Sequence, residues 1–159
     1  LIRILGVDPG SRITGFGVVD YNFSQIQLVS AGTIRADVNA SFPVRLKTIY
    51  DGIFQIINEY QPLAMAVESA FYSQNIQSTL KLGQVRGVIM LAGANLNLQV
   101  VDYSPRRIKL AVTGNGAASK EQIKRAILQL FKDLNQSSTF DVTDALGIAV
   151  CHCHQIKNY

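Results

Sequence analysis

The sequence predicts an α/β fold: a mixed five-stranded sheet, three antiparallel strands followed by two parallel ones, flanked by helices. Three observations carry that prediction. The first third of the chain reads as a β-meander of apolar segments separated by turn signals, with Ile26 and Leu28 alternating with polar neighbours in the third segment. After Ser41 the apolar period lengthens to three and four residues, the spacing of an amphipathic helix. Beyond that helix, short apolar runs and helical segments take turns, an order that implies parallel pairing through right-handed crossovers.

Ile2–Val7 is a short apolar run closed by Asp8-Pro9-Gly10-Ser11, a turn signal. Thr14–Tyr21 is the next strand, where Gly15 and Gly17 permit close backbone approach. A turn near Asn22–Ser24 leads into a third strand over Gln25–Arg35. Three strands joined by short turns are most simply antiparallel neighbours. Leu46, Ile49, Tyr50, Ile53, Ile57 and Tyr60 mark the first helix, which must stop before Pro62. Leu63–Val67 is a compact apolar strand ending at Glu68.

A second helix is expected from about Ser78 to Ala94, and a fifth strand over Leu98–Tyr103. Gly83 and Gly87 lie inside that helix, where glycine costs about 1 kcal/mol against alanine. Close approach to the sheet, to a second subunit, or to both would compensate. Ser104 and Pro105 form a helix start, and Gly114 ends the short helix that follows. Thr113–Ser119 is rich in glycine and alanine and reads as mobile. Ser119-Lys120-Glu121-Gln122 is a capping box opening a helix to about Leu134. Asn135–Thr139 is a polar connection, and Asp141 opens the last helix.

At 159 residues the chain fits one domain, residues 1–159. A 48% hydrophobic share argues against disorder. The longest uncharged run, Gly87–Val101, is 15 residues and contains three Asn and Gln side chains. A membrane-spanning helix needs about 20 mostly apolar residues, so no membrane association is expected. Leu1–Val7 carries Arg3 and runs into a polar turn with no small-residue cleavage site, so it reads as a strand and not a signal peptide. The opening Leu suggests that a few native residues have been removed. Cys151 and Cys153 are too close in sequence to close a useful loop, and a reducing, cytoplasmic compartment is the simpler reading. Cys151-His152-Cys153-His154 has the composition of a metal tract. On a helix its members point to different sides, so no zinc site is expected, and the two histidines read as helix-end or surface residues.

The net charge of +4 is unevenly distributed. Between Tyr103 and Lys132 stand seven basic residues (Arg106, Arg107, Lys109, Lys120, Lys124, Arg125 and Lys132) against Glu121 alone. That segment is a candidate phosphate-binding surface, though scattered solvated lysines would give the same count.

Four acids stand out. Asp8 and Glu68 each follow an apolar strand, and Asp141 and Asp144 are three apart at the start of a helix, sharing one face. The stretch behind them, Ala145–Val150, is too apolar to be solvated, which places both aspartates at a core margin. Singly, Asp8 could be a turn residue and either helical aspartate a favourable charge at a helix start. If the three elements converge, four carboxylates meet and repel unless protonated or bridged by cations. Oxygen-only ligands suit Mg²⁺ or Mn²⁺. Such a cluster can hold two ions for in-line phosphodiester hydrolysis, one activating water and the other stabilising the leaving 3′ oxygen. Without these four acids the balance of the chain is 15 − 7 = +8, an acidic site on a basic body.

Gly6-Val7-Asp8-Pro9-Gly10-Ser11-Arg12-Ile13-Thr14-Gly15-Phe16-Gly17, the strand ending at Glu68, Leu80-Lys81-Leu82-Gly83-Gln84-Val85-Arg86-Gly87 and Asp141-Val142-Thr143-Asp144-Ala145-Leu146 follow one another in this order. Together they resemble the RuvC crossover-junction endodeoxyribonucleases over about Ile4 to His154. The resemblance implies an RNase H-like fold, a homodimer, dependence on Mg²⁺, and paired nicking of four-way Holliday junctions beside the RuvAB branch-migration complex. It assigns Asp8, Glu68, Asp141 and Asp144 as the metal-binding acids. It gives Phe71 the role of an aromatic that stacks on an unpaired base in the opened junction; a core aromatic would look the same in sequence. Lys109 and Lys120 match basic positions near the scissile phosphate, while Arg106, Arg107, Lys81 and Arg86 are candidate backbone contacts. The chain departs from the family pattern at Ser69, where Gln is expected, and at Gln74, where a basic residue is common. Neither position removes a metal ligand.

Three other readings are weaker. Actin-like ATPases share a similar first turn but need two such domains. A ribonuclease H acting on RNA–DNA hybrids would carry its glutamate on the first helix, which offers only Glu59 near its end. A junction-binding protein without catalysis gains nothing from acids facing phosphates.

Overall fold

A computed structural model describes residues 1–69 and 74–156. Five strands, β1 (Ile2–Asp8), β2 (Ile13–Tyr21), β3 (Ile26–Arg35), β4 (Ala64–Glu68) and β5 (Gln99–Tyr103), form one sheet in the order β3-β2-β1-β4-β5. The β1–β2 and β2–β3 pairs are antiparallel, whereas β1–β4 and β4–β5 are parallel. The expected mixture of three antiparallel and two parallel strands is therefore present. Parallel pairing of β1 and β4 in register (Val7 beside Val67) brings their carboxyl ends, Asp8 and Glu68, to the same edge of the sheet.

Helices cover both faces. On one side α1 (Phe42–Tyr60) and α2 (Ile76–Asn95) pack on Leu5, Val7, Val18, Met65 and Val67. On the other, α5 (Phe140–Ile156) lies across β1 and β2 and is joined by α4 (Lys120–Leu130) over Ile4, Val19 and Tyr21. Alternation along β1 thus feeds two cores, Ile4 to one face and Leu5 to the other. The helix α3 (Pro105–Thr113) packs Ile108 against α5 near Ile148 and Cys151.

The seat of α5 depends on glycine in the strands beneath it. A Cβ on Gly15 would run into the backbone carbonyl of Asp141, and one on Gly6 would stand 2.7 Å from the Ala149 nitrogen. The close approach expected at Gly15 is that of the backbone carrying Asp141.

Three details differ from the sequence expectation. α2 starts at Ile76, two residues early, because the Asn75 side chain accepts the Ser78 N–H and caps it there. α4 ends at Leu130, not near Leu134, although the apolar spacing continues. The chain turns at Phe131, with the Leu134 N–H bonded to the Phe131 carbonyl, and buries Phe131 and Leu134 beside Ile123 and Ile127. Burial there overrides helical periodicity. His152, expected near a helix end or surface, is 4% exposed and shares a 2.7 Å hydrogen bond with the Tyr103 hydroxyl. Burial lowers the pKa of that imidazole, and the buried tyrosine gives it a neutral partner. His154 stays exposed near the end of α5.

Between α3 and α4 the chain is tied by local bonds: the Thr113 hydroxyl donates to the Lys109 carbonyl, and the Asn115 side chain accepts the Ala117 N–H. The capping box is complete, with the Ser119 Oγ accepting the Gln122 N–H and the Gln122 Oε1 accepting the Ser119 N–H. It fixes Lys120 as the first residue of α4. Ser119→Ala is expected to cost about 0.5–2 kcal/mol in chemical denaturation. Ser119→Asp should restore most of that stability, as a cap and not merely a packed side chain.

Candidate active site

Asp8 at the end of β1, Glu68 at the end of β4 and Asp144 on the first turns of α5 line one cavity of about 90 Å³. Pro105, Ile108, Ile123 and Ile148 supply its apolar walls, and Lys109 and Lys120 its cations. Asp141 does not line the cavity, but its charge acts on both Asp8 and Asp144. It stands one turn before Asp144 on the same helix face.

Electrostatics record the crowding. Asp8 is pushed up to about 8, first by burial and then by the charges of Asp144 and Glu68. Glu68 and Asp144 are raised too, burial again being the largest cause in each. Lys120 offsets part of this: its Nζ lies 3.4 Å from Asp144 Oδ2. Burial works to lower the Lys120 pKa, but Asp144, Asp8 and Glu68 together outweigh it and the net shift is upward.

The folded protein therefore holds a proton on Asp8 that the unfolded chain releases above about pH 4. Without divalent cation, stability should fall as pH rises from about 4 to about 8, by about 1.4 kcal/mol per unit where one proton is involved. Glu68 and Asp144 push the same way. Asp20, held down by its hydrogen bond to Arg3, opposes this trend at the acid end, and His152, lowered by burial, opposes it up to about pH 6.5. Denaturant titrations in chelator at about pH 6.5 and pH 8, above the range where His152 titrates, measure the slope, and a flat profile there would contradict the crowding.

The other sequence candidates are spread out. Arg106 and Arg107 are exposed on the first turn of α3 and do not line the cavity. Arg107 lies 5.6 Å over the Tyr103 ring and bonds the Gln155 side chain. Lys81 lines a separate cleft with Arg12 and Arg45. Arg86 is turned inward: its Nε donates to the Glu68 carbonyl at 2.9 Å and its Nη2 to Asp102 Oδ1 at 2.6 Å, leaving the side chain 13% exposed. That is a brace on the strand end carrying Glu68, a role the sequence reading missed. Its only sequence signal is the place of Arg86 beside the buried Val85 and Ile89 stripe. Phe71 lies outside the described residues.

A family model described as Crossover junction endodeoxyribonuclease RuvC matches residues 4–152. The chain belongs to the RuvC family.

Two of its RuvC relatives span nearly all of it. The crossover junction endodeoxyribonuclease RuvC of Shewanella sp. (strain MR-4) is 49% identical over 151 residues, covering 95% of this chain and 86% of the relative. That of Pelobacter propionicus is 45% identical over 153 residues, covering 96% and 86%. Among solved structures, T. thermophilus RuvC in complex with Holliday junction substrate superimposes with a TM-score of 0.92 at 23% identity, over 99% of this chain and 96% of that one. The yeast mitochondrial Holliday junction resolvase Ydc2 gives 0.69 at 17% identity, over 99% and 81%. These likenesses establish the RNase H-like fold that RuvC proteins share. The exposed Glu59 near the end of α1 does not line the cavity, whose glutamate is Glu68 at the end of β4, so the glutamate is not on the first helix as expected of a ribonuclease H.

RuvC nucleases depend on metal, and the donor set here can be tested against that need. The cavity offers carboxylates with no imidazole or thiolate, and Asp8 keeps a proton because it is buried and because the charges of Asp144 and Glu68 beside it are not fully balanced. That chemistry fits a hard divalent cation. Among the described residues, no three His, Cys, Asp or Glu side chains already stand at metal-ligand spacing. An ion would have to draw the carboxylates together and compete with Lys120 for Asp144. No helix among the described residues is long and apolar enough to cross a membrane.

Proposed function

We propose that this chain is a structure-selective DNA endonuclease that resolves four-way (Holliday) junctions by paired nicking of strands of like polarity, in recombination and repair. One observation carries the reading: carboxylates from β1, β4 and α5 open into one cavity whose cations are Lys109 and Lys120. Asp8, Glu68, Asp141 and Asp144 would hold two Mg²⁺ ions, with Mn²⁺ able to substitute. When bound, such ions supply positive charge to an attacking water and to the leaving 3′ oxygen, and the products carry 5′-phosphate and 3′-hydroxyl ends. Lys109 and Lys120 orient the scissile phosphate, Arg86 fixes the Glu68 strand end, and the apolar walls formed by Ile108, Ile123 and Ile148 limit water. Phe71 stacks on a base of the opened junction, which contributes about 1–3 kcal/mol.

The nuclease domain acts as a homodimer. Ile76, Leu80, Gly83, Gly87 and Leu91 form one outward stripe of α2. Ile76 is 75% and Leu80 63% exposed, and a Cβ on Gly83 or Gly87 would meet nothing within 4 Å. Two helical glycines without a close neighbour among the described residues of their own chain favour a neighbour from a second one. A two-fold dimer offers two identical sites to a nearly two-fold junction. The enzyme works in the cytoplasm beside the RuvAB branch-migration complex, and no membrane is involved.

Side-by-side incubation of four-way junction, linear duplex and RNA–DNA hybrid with Mg²⁺ or Mn²⁺ tests the reading. Symmetric nicks in the junction alone are expected. Binding without nicking in either metal would leave a junction-binding protein, and cleavage of the hybrid's RNA strand would make it a ribonuclease H.

A further inference from the structure

A second cationic site lies on the other face of the sheet edge. Its cleft is lined by Ser11, Arg12, Arg45, Ser78, Lys81 and Leu82. Ser11 and Arg12 belong to the turn that leaves Asp8, Arg45 comes from α1, and Ser78 and Lys81 share one turn of α2. The Arg45 guanidinium is fixed twice: Nε and Nη2 donate to the Ser11 carbonyl at 3.2 and 2.6 Å, and the group lies 5.6 Å from the Phe42 ring centre. The Lys81 ammonium stands 5.8 Å from the same ring. One aromatic thus gathers cations from two helices, and Arg12 adds a third at the mouth.

No acid lines this cleft, and among the described residues none of its three cations is paired with a carboxylate. Arg3, Lys47, Arg86 and Lys120 each have an aspartate; what sets this cleft apart is that its unpaired cations converge on one ring and one lining. Three like charges held together without counter-charge are unfavourable until an anion arrives. The Ser11 and Ser78 hydroxyls and the free N–H groups of Arg45 suit phosphate oxygens.

We infer that this cleft seats a backbone phosphate of the DNA substrate, on the opposite side of Asp8 from Lys109 and Lys120. The inference rests on the nuclease reading above. Substrate is then gripped on both faces of the sheet edge, with Arg12, Arg45 and Lys81 positioning the strand without reading its sequence.

The test is junction binding in chelator across a salt series, with Arg12→Gln/Lys81→Gln as the main variant. Both side chains are exposed, so the fold should survive, and an unchanged melting midpoint checks it. Affinity at 0.1 M salt should fall about tenfold, and the slope of log K against log salt should shrink by about 0.9, the loss of one phosphate contact. Lys47→Gln, on α1 but outside the cleft, should change neither quantity. An unaltered affinity and slope in the double variant would overturn the inference, as would an equal loss in Lys47→Gln. A parent protein that binds no junction at any salt would instead sink the nuclease reading, and this one with it.

Discussion

Asp8→Asn should bind four-way junctions as tightly as the parent protein and nick them at least about a hundredfold more slowly. Groups that merely orient a metal ligand cost about 10–100-fold when removed, so loss of a ligand should reach at least the upper end. Binding persists because the basic contacts are elsewhere, and in chelator Asp8, pushed up to about 8, is already largely uncharged near neutral pH. A second, opposite effect accompanies the loss. Asp8 is the most strongly raised of the acids, pushed up to about 8 by burial and by its acidic neighbours. Its replacement by a neutral amide removes that proton linkage, so the metal-free variant should lose less stability than the parent as pH rises to about 8, Glu68 and Asp144 keeping a smaller slope. Mg²⁺ should stabilise the parent more than the variant. Single-turnover nicking, junction binding in chelator and denaturation with and without Mg²⁺ make the comparison. Parent-like nicking would remove Asp8 from the chemistry, and an identical pH–stability profile would remove it from the repulsive cluster.

The same cluster shows what could be read from residues alone. Asp8 and Glu68 were legible because each closes an apolar run, and the parallel pairing of β1 with β4 places both ends at one edge. Asp144 was legible because the helix behind it is almost wholly buried. Roles that depend on a partner distant in sequence were not. Nothing around Arg86 announces that its guanidinium will reach the Glu68 carbonyl, since that contact exists only once α2 crosses back over β4. His152 was misplaced for the same reason: its burial needs the Tyr103 hydroxyl, 49 positions away. The early end of α4 was hidden because Phe131 and Leu134 keep helical spacing while leaving the helix. Local pattern reports which residues are apolar; it does not report where the chain turns to bury them. Arg12 and Arg45 look like ordinary exposed bases until Phe42 and the Ser11 carbonyl bring them together with Lys81.

The largest expected effect on the fold comes from one methyl group. Gly15 on β2 faces the backbone of Asp141, and a Cβ there would collide with the Asp141 carbonyl oxygen and stand 2.6 Å from its carbonyl carbon. Flexible side chains give way to such an intrusion; a helix backbone gives way only by moving. Overpacking of this kind costs about 1–3 kcal/mol, occasionally more, and here the upper end is expected. Gly15→Ala should therefore lose about 3 kcal/mol in chemical denaturation. The shift it forces is at the amino end of α5, where Asp141 and Asp144 stand, so Mg²⁺-dependent nicking should drop even at temperatures where the variant stays folded. Gly83→Ala provides the contrast. Its Cβ meets nothing, and alanine favours a helix by about 1 kcal/mol over glycine, so the isolated subunit should gain stability. If the α2 stripe is the dimer face, that gain comes with weaker self-association in sedimentation. A Gly15→Ala protein as stable and as active as the parent would mean that α5 does not rest on β2 at that distance, and the placement of both helical aspartates would have to be abandoned.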